Sequence, residues 1–134
     1  MKKLKFAIFG TGFWSQFQLG GWQELEANEC VALYNRTLSK AEDLARRFGV
    51  PSAYDDAEEL MKNEELDFID IITDVDTHAR FTALGAKYGK DVICQKPMAP
   101  DFKTAKEMME VCRKAGVRYY VHENYRWQPQ FRRV

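Results

Sequence analysis

The chain has few residues of the kind that staple, chelate or anchor. Three cysteines and two histidines among 134 residues are too few and too scattered for a disulfide framework or a metal cluster. Cys30, Cys94 and Cys112 have no C-x-x-C partner, and each sits among apolar neighbours. They read as reduced, buried thiols of a cytoplasmic protein. No apolar run approaches the roughly 20 residues that span a bilayer. Lys5 and Gly10 interrupt the N-terminal run before it reaches signal-peptide length. Net charge is missing too, with 20 basic side chains against 20 acidic ones. That removes the electrostatic footprint of a nucleic-acid binder. The one basic cluster, Arg126, Arg132 and Arg133, reads as a solvated helix face. Linkers, repeats and low-complexity tracts are absent. The reading therefore carries no metal, no membrane and no nucleic acid.

What remains is a globular composition, 46% hydrophobic and 30% charged, spread over the length of one domain. A chain of this size buries about two thirds of its unfolded surface, enough for a real core. The most informative stretch is LKFAIFGTGFWS, residues 4–15. An apolar run stops at Gly10-Thr11-Gly12, and an amphipathic stretch follows at once. A buried strand, a tight turn and a helix start have this form. A helix N-terminus presents unpaired N–H groups and partial positive charge. Gly10 suits the tight turn, and Gly12 suits close approach of the backbone to a pyrophosphate. The third position of G-x-G-x-x-G is Ser15, so the fingerprint is incomplete. Taken alone, the turn is equally well a plain structural one.

Strand and helix signals alternate through the whole chain. Strands are expected at 3–9, 30–34, 52–54, 68–72, 91–94 and 118–122. The fourth of these reads as apolar on both faces, as in a covered parallel sheet. Helices are expected from Phe13 until Gly20-Gly21 break it, at 39–48, 56–62, 78–88 and 102–115, with another begun at 128–134. Ser39 and Glu42 form a capping-box pattern, Thr77 is the candidate cap of the fourth helix, and Asp101 caps the fifth. Phe102, Ala105, Met108, Met109 and Cys112 read as the fifth helix's buried stripe. His122, inside a strand, reads as core-facing. Such a pattern specifies an α/β fold: a doubly wound, mainly parallel sheet of about six strands. Its ligand belongs at the carboxyl ends of the strands.

Polar and titratable groups gather at those ends. They are Gly10, Thr11, Gly12, Phe13 and Trp14; Asn35, Arg36 and Thr37; Thr73, Asp74 and His78; Gln95, Lys96 and Pro97; and Asn124 with Arg126. An acidic residue at the second strand end would bond both ribose hydroxyls and favour NAD. Asn35-Arg36-Thr37 stands there instead. Arg36 suits a 2′-phosphate and stacking on adenine, so NADP is favoured over NAD; otherwise Arg36 is only a loop residue in solvent. Trp14 either covers the cofactor pocket or packs.

The segments FGTGFWS, NRT, ITDVDTHARFTALGAKYGKDVICQKP and VHENYRWQP carry a resemblance over essentially the whole chain. The sequence resembles the N-terminal NAD(P)-binding Rossmann domain of the Gfo/Idh/MocA oxidoreductases, the glucose–fructose oxidoreductase and inositol dehydrogenase group. The resemblance implies hydride transfer between a nicotinamide and a sugar, polyol or related hydroxy or carbonyl substrate. It implies that Lys96, in the position of the family's Glu-Lys-Pro lysine, relays a proton. A lysine amine does that best in a partly dry pocket. The family's glutamate is Gln95 here, which hydrogen-bonds but carries no charge. His78 is implied to line the cofactor pocket, and Thr73 and Asp74 to flank the ribose or diphosphate. Asn124 and Arg126 are implied to touch carboxamide or substrate, although Arg126 equally suits anchoring the next domain. The family also has a second α/β domain with substrate contacts and the oligomer interface. Residues 1–134 therefore read as a piece cut before it, binding nucleotide with little turnover and exposing an apolar surface. The full-length form is expected to be a homo-oligomer. The alternative is a non-catalytic NAD(P)-binding or redox-sensing module.

Overall fold

The fold was described in a computed structural model, for residues 2–125 and 128–132. Six strands form one parallel sheet: β1 (Leu4–Phe9), β2 (Asn28–Tyr34), β3 (Ser52–Tyr54), β4 (Phe68–Ile71), β5 (Asp91–Gln95) and β6 (Tyr119–His122). Their order is β3-β2-β1-β4-β5-β6. The chain winds outward from β1, returns to lie beside β1 as β4, and winds outward again. The order reverses between β1 and β4, and a crevice opens there above the carboxyl ends.

Alternation along the strands divides the core into two layers. Phe6, Ile8, Leu33 and Phe68 pack against Leu19 of α1 (Ser15–Gln23) and against Ala41, Leu44 and Ala45 of α2 (Leu38–Phe48). Phe6 and Phe68 stack with centroids 4.8 Å apart. Ala7, Phe9, Ile69, Ile71, Val92 and Cys94 face the other way. They meet residues of α3 (Ala57–Asn63), α4 (Val75–Lys87) and α5 (Phe102–Ala115). Burial pushes the Cys30 thiol up to about 12 and the Cys94 thiol up to about 11. All three cysteines are free.

Several local expectations need correction. Helix α1 continues through Gly20 and Gly21 to Gln23. A glycine inside a helix costs about 0.5–1 kcal/mol. In the last turn the Trp22 indole N–H donates to Asp70 Oδ2 at 2.6 Å, which ties it to β4. Helix α2 starts at Leu38 with Thr37 in the N-cap position and no side-chain cap bond. Ser39 is thus inside the first turn, and the capping box is not formed. Helix α4 starts at Val75, so Thr77 lies inside it. Its hydroxyl sits 2.8 Å from the Asp74 carbonyl and 2.7 Å from Thr73 Oγ1. Helix α5 has the expected bounds and the Asp101 cap, with Asp101 Oδ1 accepting from the Thr104 N–H. Its buried side is Met108 and Cys112, with Ala105 and Val111 half-buried, whereas Phe102 and Met109 are exposed. At about 100° per residue, both lie well round the helix from Met108. Residues 128–132 make turn hydrogen bonds instead of a helix. Arg126, Arg133 and Val134 lie outside the described residues; Arg132 is exposed. No helix among the described residues is long and apolar enough to cross a membrane, and they hold no cluster of metal-ligating side chains.

Candidate functional site

The β1–α1 turn is built to leave amides free. Gly10 donates its N–H to the Tyr34 carbonyl at 2.8 Å, and the Ser15 N–H donates to the Gly12 carbonyl at 3.1 Å. Between them, the N–H groups of Thr11, Gly12, Phe13 and Trp14 donate to no carbonyl among the described residues. Gly10 has φ +108°, and a Cβ there would stand 2.9 Å from the Thr73 N and 3.0 Å from the Ile72 carbonyl carbon. The glycine is thus demanded by the end of β4. Gly12 has nothing within 4 Å of an added Cβ, so open space lies above it. Ser15, at the third fingerprint position, is buried and donates its hydroxyl to the Gly12 carbonyl at 2.5 Å. That bond ties the loop to the helix where a third glycine would only allow close packing. Thr11 Oγ1 is buried without a partner among the described residues. Free amides, open space and an orphaned hydroxyl suit a diphosphate.

A cavity of about 330 Å³ extends from this turn, lined by Thr11, Gly12, Asn35, Arg36, Thr73 and Asp74 among others. Asn35 shapes its rim, because its Oδ1 accepts the Thr37 N–H at 2.9 Å. No carboxylate stands at the end of β2. Lys40 and Arg80 join Arg36 in the lining, so three basic residues and one acidic residue, Asp74, line this space. Phe13 is exposed and lines a neighbouring depression with Ser39 and Lys40.

His78 corrects an expectation. It is buried and lines none of these spaces. Its Nε2 lies 2.9 Å from the Thr73 carbonyl, and its Nδ1 lies 3.1 Å from the Pro97 carbonyl. The ring therefore lies between carbonyls at the end of β4 and in the turn after β5, and a neutral imidazole donates to only one side. The contact partner is 19 residues away in sequence, which hid this role. Lys96 is exposed, and the described residues build no dry pocket around it. The Lys96–Pro97 peptide is cis. Gln95 is the last residue of β5, and its Oε1 accepts the Lys96 N–H at 2.8 Å.

Trp14 lines neither of the spaces beside the glycine turn. It lines a second cavity of about 520 Å³ between α1 and the β5–β6 edge, with Phe17, Trp22, Leu25, Gln95 and His122 among its walls. Asn124 lines it too, its Oδ1 buried without a partner among the described residues. His122, expected in the core, is half-buried in this wall beside Trp22. Behind the wall is a residue that the sequence reading missed. Asp70, fully buried in β4, accepts from Gln18 Nε2 and Trp22 Nε1, each at 2.6 Å. Burial raises its carboxyl pKa above the ordinary range, while the two donors and the nearby His122 oppose the shift. An aspartate in the middle of FIDII was the available signal.

Residues 4–123 match the Gfo/Idh/MocA family, described as an oxidoreductase family with an NAD-binding Rossmann fold. The chain belongs to that family. It is 37% identical over its whole length to a D-apiose dehydrogenase of Paraburkholderia graminis, covering 36% of that protein. It is 27% identical over 114 residues to a scyllo-inositol 2-dehydrogenase (NADP(+)) of Bacillus subtilis, covering 85% of this chain and 35% of the relative. Its fold superposes with TM-score 0.91 and 33% identity on an oxidoreductase from Agrobacterium radiobacter solved with NAD+, L-tartaric acid and magnesium, over 95% of this chain and 37% of that one. The chain thus spans little more than a third of the relatives it matches.

Proposed function

We propose that this domain holds the dinucleotide of an oxidoreductase that moves hydride between NADP and a sugar, polyol or related polyhydroxy compound. The observation that carries the reading is the set of free amides from Thr11 to Trp14, beside the open space above Gly12, at the crevice where strand order reverses. The amides hold the diphosphate, and the Thr11 hydroxyl adds a further donor. When bound, the nicotinamide supplies the hydride chemistry. Arg36 pairs with a 2′-phosphate, supported by Lys40 and Arg80 in the same cavity and by the lack of a carboxylate at the end of β2. The solved relative carries NAD+, and the inositol dehydrogenase is named for NADP(+), so the family's cofactor choice varies and local residues decide it. Lys96 gives or takes the proton of the reacting hydroxyl. On this chain the lysine is exposed, so the walls that dry it come from outside the described residues. Sugar and polyol substrates are supported by the relatives' names. Three unpaired thiols suit a reducing, cytoplasmic setting.

Calorimetry with NADP and NAD tests the reading. Binding of NADP is expected to be tighter. Charge-assisted bonds to phosphate are worth about 1.5–3 kcal/mol, so Arg36→Ala should cut the NADP/NAD preference about tenfold or more. An unchanged ratio would remove Arg36 from the argument, and no binding of either nucleotide would end it.

A further inference from the structure

Three groups that can only donate set the direction of one hydrogen-bond chain beside the proposed catalytic lysine. The first is the Lys96 backbone N–H. Gln95 must turn its Oε1 toward it, at 2.8 Å. That leaves Gln95 Nε2 pointing at Gln18, which must present Oε1; the distance is 2.9 Å. The second donor-only group, the Trp14 indole N–H, meets the same Gln18 Oε1 at 3.1 Å and enforces the same orientation. Gln18 Nε2 is then driven inward, where it needs an acceptor. The third donor-only group, the Trp22 indole N–H, needs one at the same place. Asp70 Oδ2 accepts both, each at 2.6 Å. Neither indole nor a backbone N–H can accept, so the chain runs in one sense only: Lys96 to Gln95 to Gln18 to Asp70. Asp70 and Gln18 are buried, so water does not compete for the bond between them.

We propose that Asp70 is a positioning residue for Lys96, acting through Gln18 and Gln95 by anchoring this one-way chain of amides. The inference rests on the reading of Lys96 as the proton-transfer residue. The chain explains why position 95 is glutamine. A carboxylate there would set a second oxygen against Gln18 Oε1. Reversing Gln18 would relieve that, but would turn its oxygen toward Asp70 and its NH₂ toward the Trp14 N–H. Helix α1, whose start carries the free amides, is fixed by the same bonds to β4 and β5. Diphosphate cradle and lysine turn thus share one anchor, placed on the strand between their strands in the sheet order.

Hydrogen exchange of the Lys96 amide, read by NMR against amides of β2 and β3 in the same sample, tests the anchor. Asp70→Leu removes the acceptor and should speed Lys96 exchange tenfold or more relative to β2 and β3. Gln18→Met breaks the middle link while leaving Asp70 paired with Trp22; it should do the same, and serves if Asp70→Leu does not fold. Asp70→Asn keeps an acceptor oxygen for both donors and should stay within threefold of the parent. In NAD(P)-linked turnover of the natural protein, Gln18→Met should lower kcat tenfold with the nucleotide KM within twofold, and Asp70→Asn should retain kcat. Unchanged Lys96 exchange in Gln18→Met, or equal loss in Asp70→Asn and Asp70→Leu, would overturn the proposal. Lys96→Ala separates the two claims. If it leaves kcat intact, the catalytic reading fails, while the exchange data still decide whether Asp70 anchors the turn.

Discussion

Two glycines in one turn answer to different masters, and alanine at each should separate them. At position 10 the backbone has φ +108°, and an added Cβ meets main-chain atoms of Ile72 and Thr73 at 2.9–3.1 Å. Left-handed backbone costs a non-glycine residue about 1–2 kcal/mol. The clash adds to this, because its partners are backbone of β4's end and not a flexible side-chain tip. A total of about 3 kcal/mol follows, within the range reserved for strained sites. For a domain of this size that lowers Tm by about 10 °C. At position 12 the Cβ meets nothing within 4 Å. Stability should therefore stay within about 0.5 kcal/mol of the parent, as for an unencumbered surface change. The methyl group would, however, occupy the space proposed for the diphosphate. NADP affinity should then fall at least about tenfold, equivalent to 1.4 kcal/mol. Urea unfolding measures the first quantity and titration calorimetry the second. The reasoning is refuted if Gly12→Ala unfolds as easily as Gly10→Ala, or if it binds NADP as tightly as the parent.

Gly85 of α4 poses the same question where only side chains are at stake. A Cβ there would stand 2.8 Å from Ile69 Cδ1 and 2.8 Å from Val92 Cγ2. Overpacking costs about 1–3 kcal/mol and the gain in helix propensity returns about 1, so Gly85→Ala should lose about 1 kcal/mol in urea; a stabilised variant would mean that the sheet face yields freely. Asp70 gives a pH signature. Its folded carboxyl holds its proton to higher pH than the unfolded one, so the folded state binds more protons over that window. Stability from this group therefore falls as pH rises from the ordinary carboxylate range through the raised folded value, and stays lower above it. Asp70→Asn removes that loss, so the Tm difference between variant and parent should grow from pH 4 to pH 7; a difference that shrinks over that range would contradict the burial argument.

The sheet and the glycine turn were legible because they depend on local signals: apolar runs of strand length, helical period and glycine at the stops. What escaped notice depends on contacts that sequence separates. Asp70 read as part of an apolar strand because its partners, Gln18 and Trp22, lie 52 and 48 residues away. His78 read as a pocket residue because nothing local shows that its ring reaches the Pro97 carbonyl. Lys96 was expected in a dry site, and the fold of this domain leaves it exposed. These contacts converge on one place. The His78 ring packs between the far side of the Lys96–Pro97 turn and the end of β4, and Gln95 ties its near side through Gln18 to Asp70, also on β4. The exposed lysine is thus held from two sides by the strand that also confronts Gly10. A flexible amine on a loop pinned in this way keeps its own rotamer freedom but not that of its backbone. That suits the proton-transfer role proposed for Lys96, because the turn is already ordered within this domain.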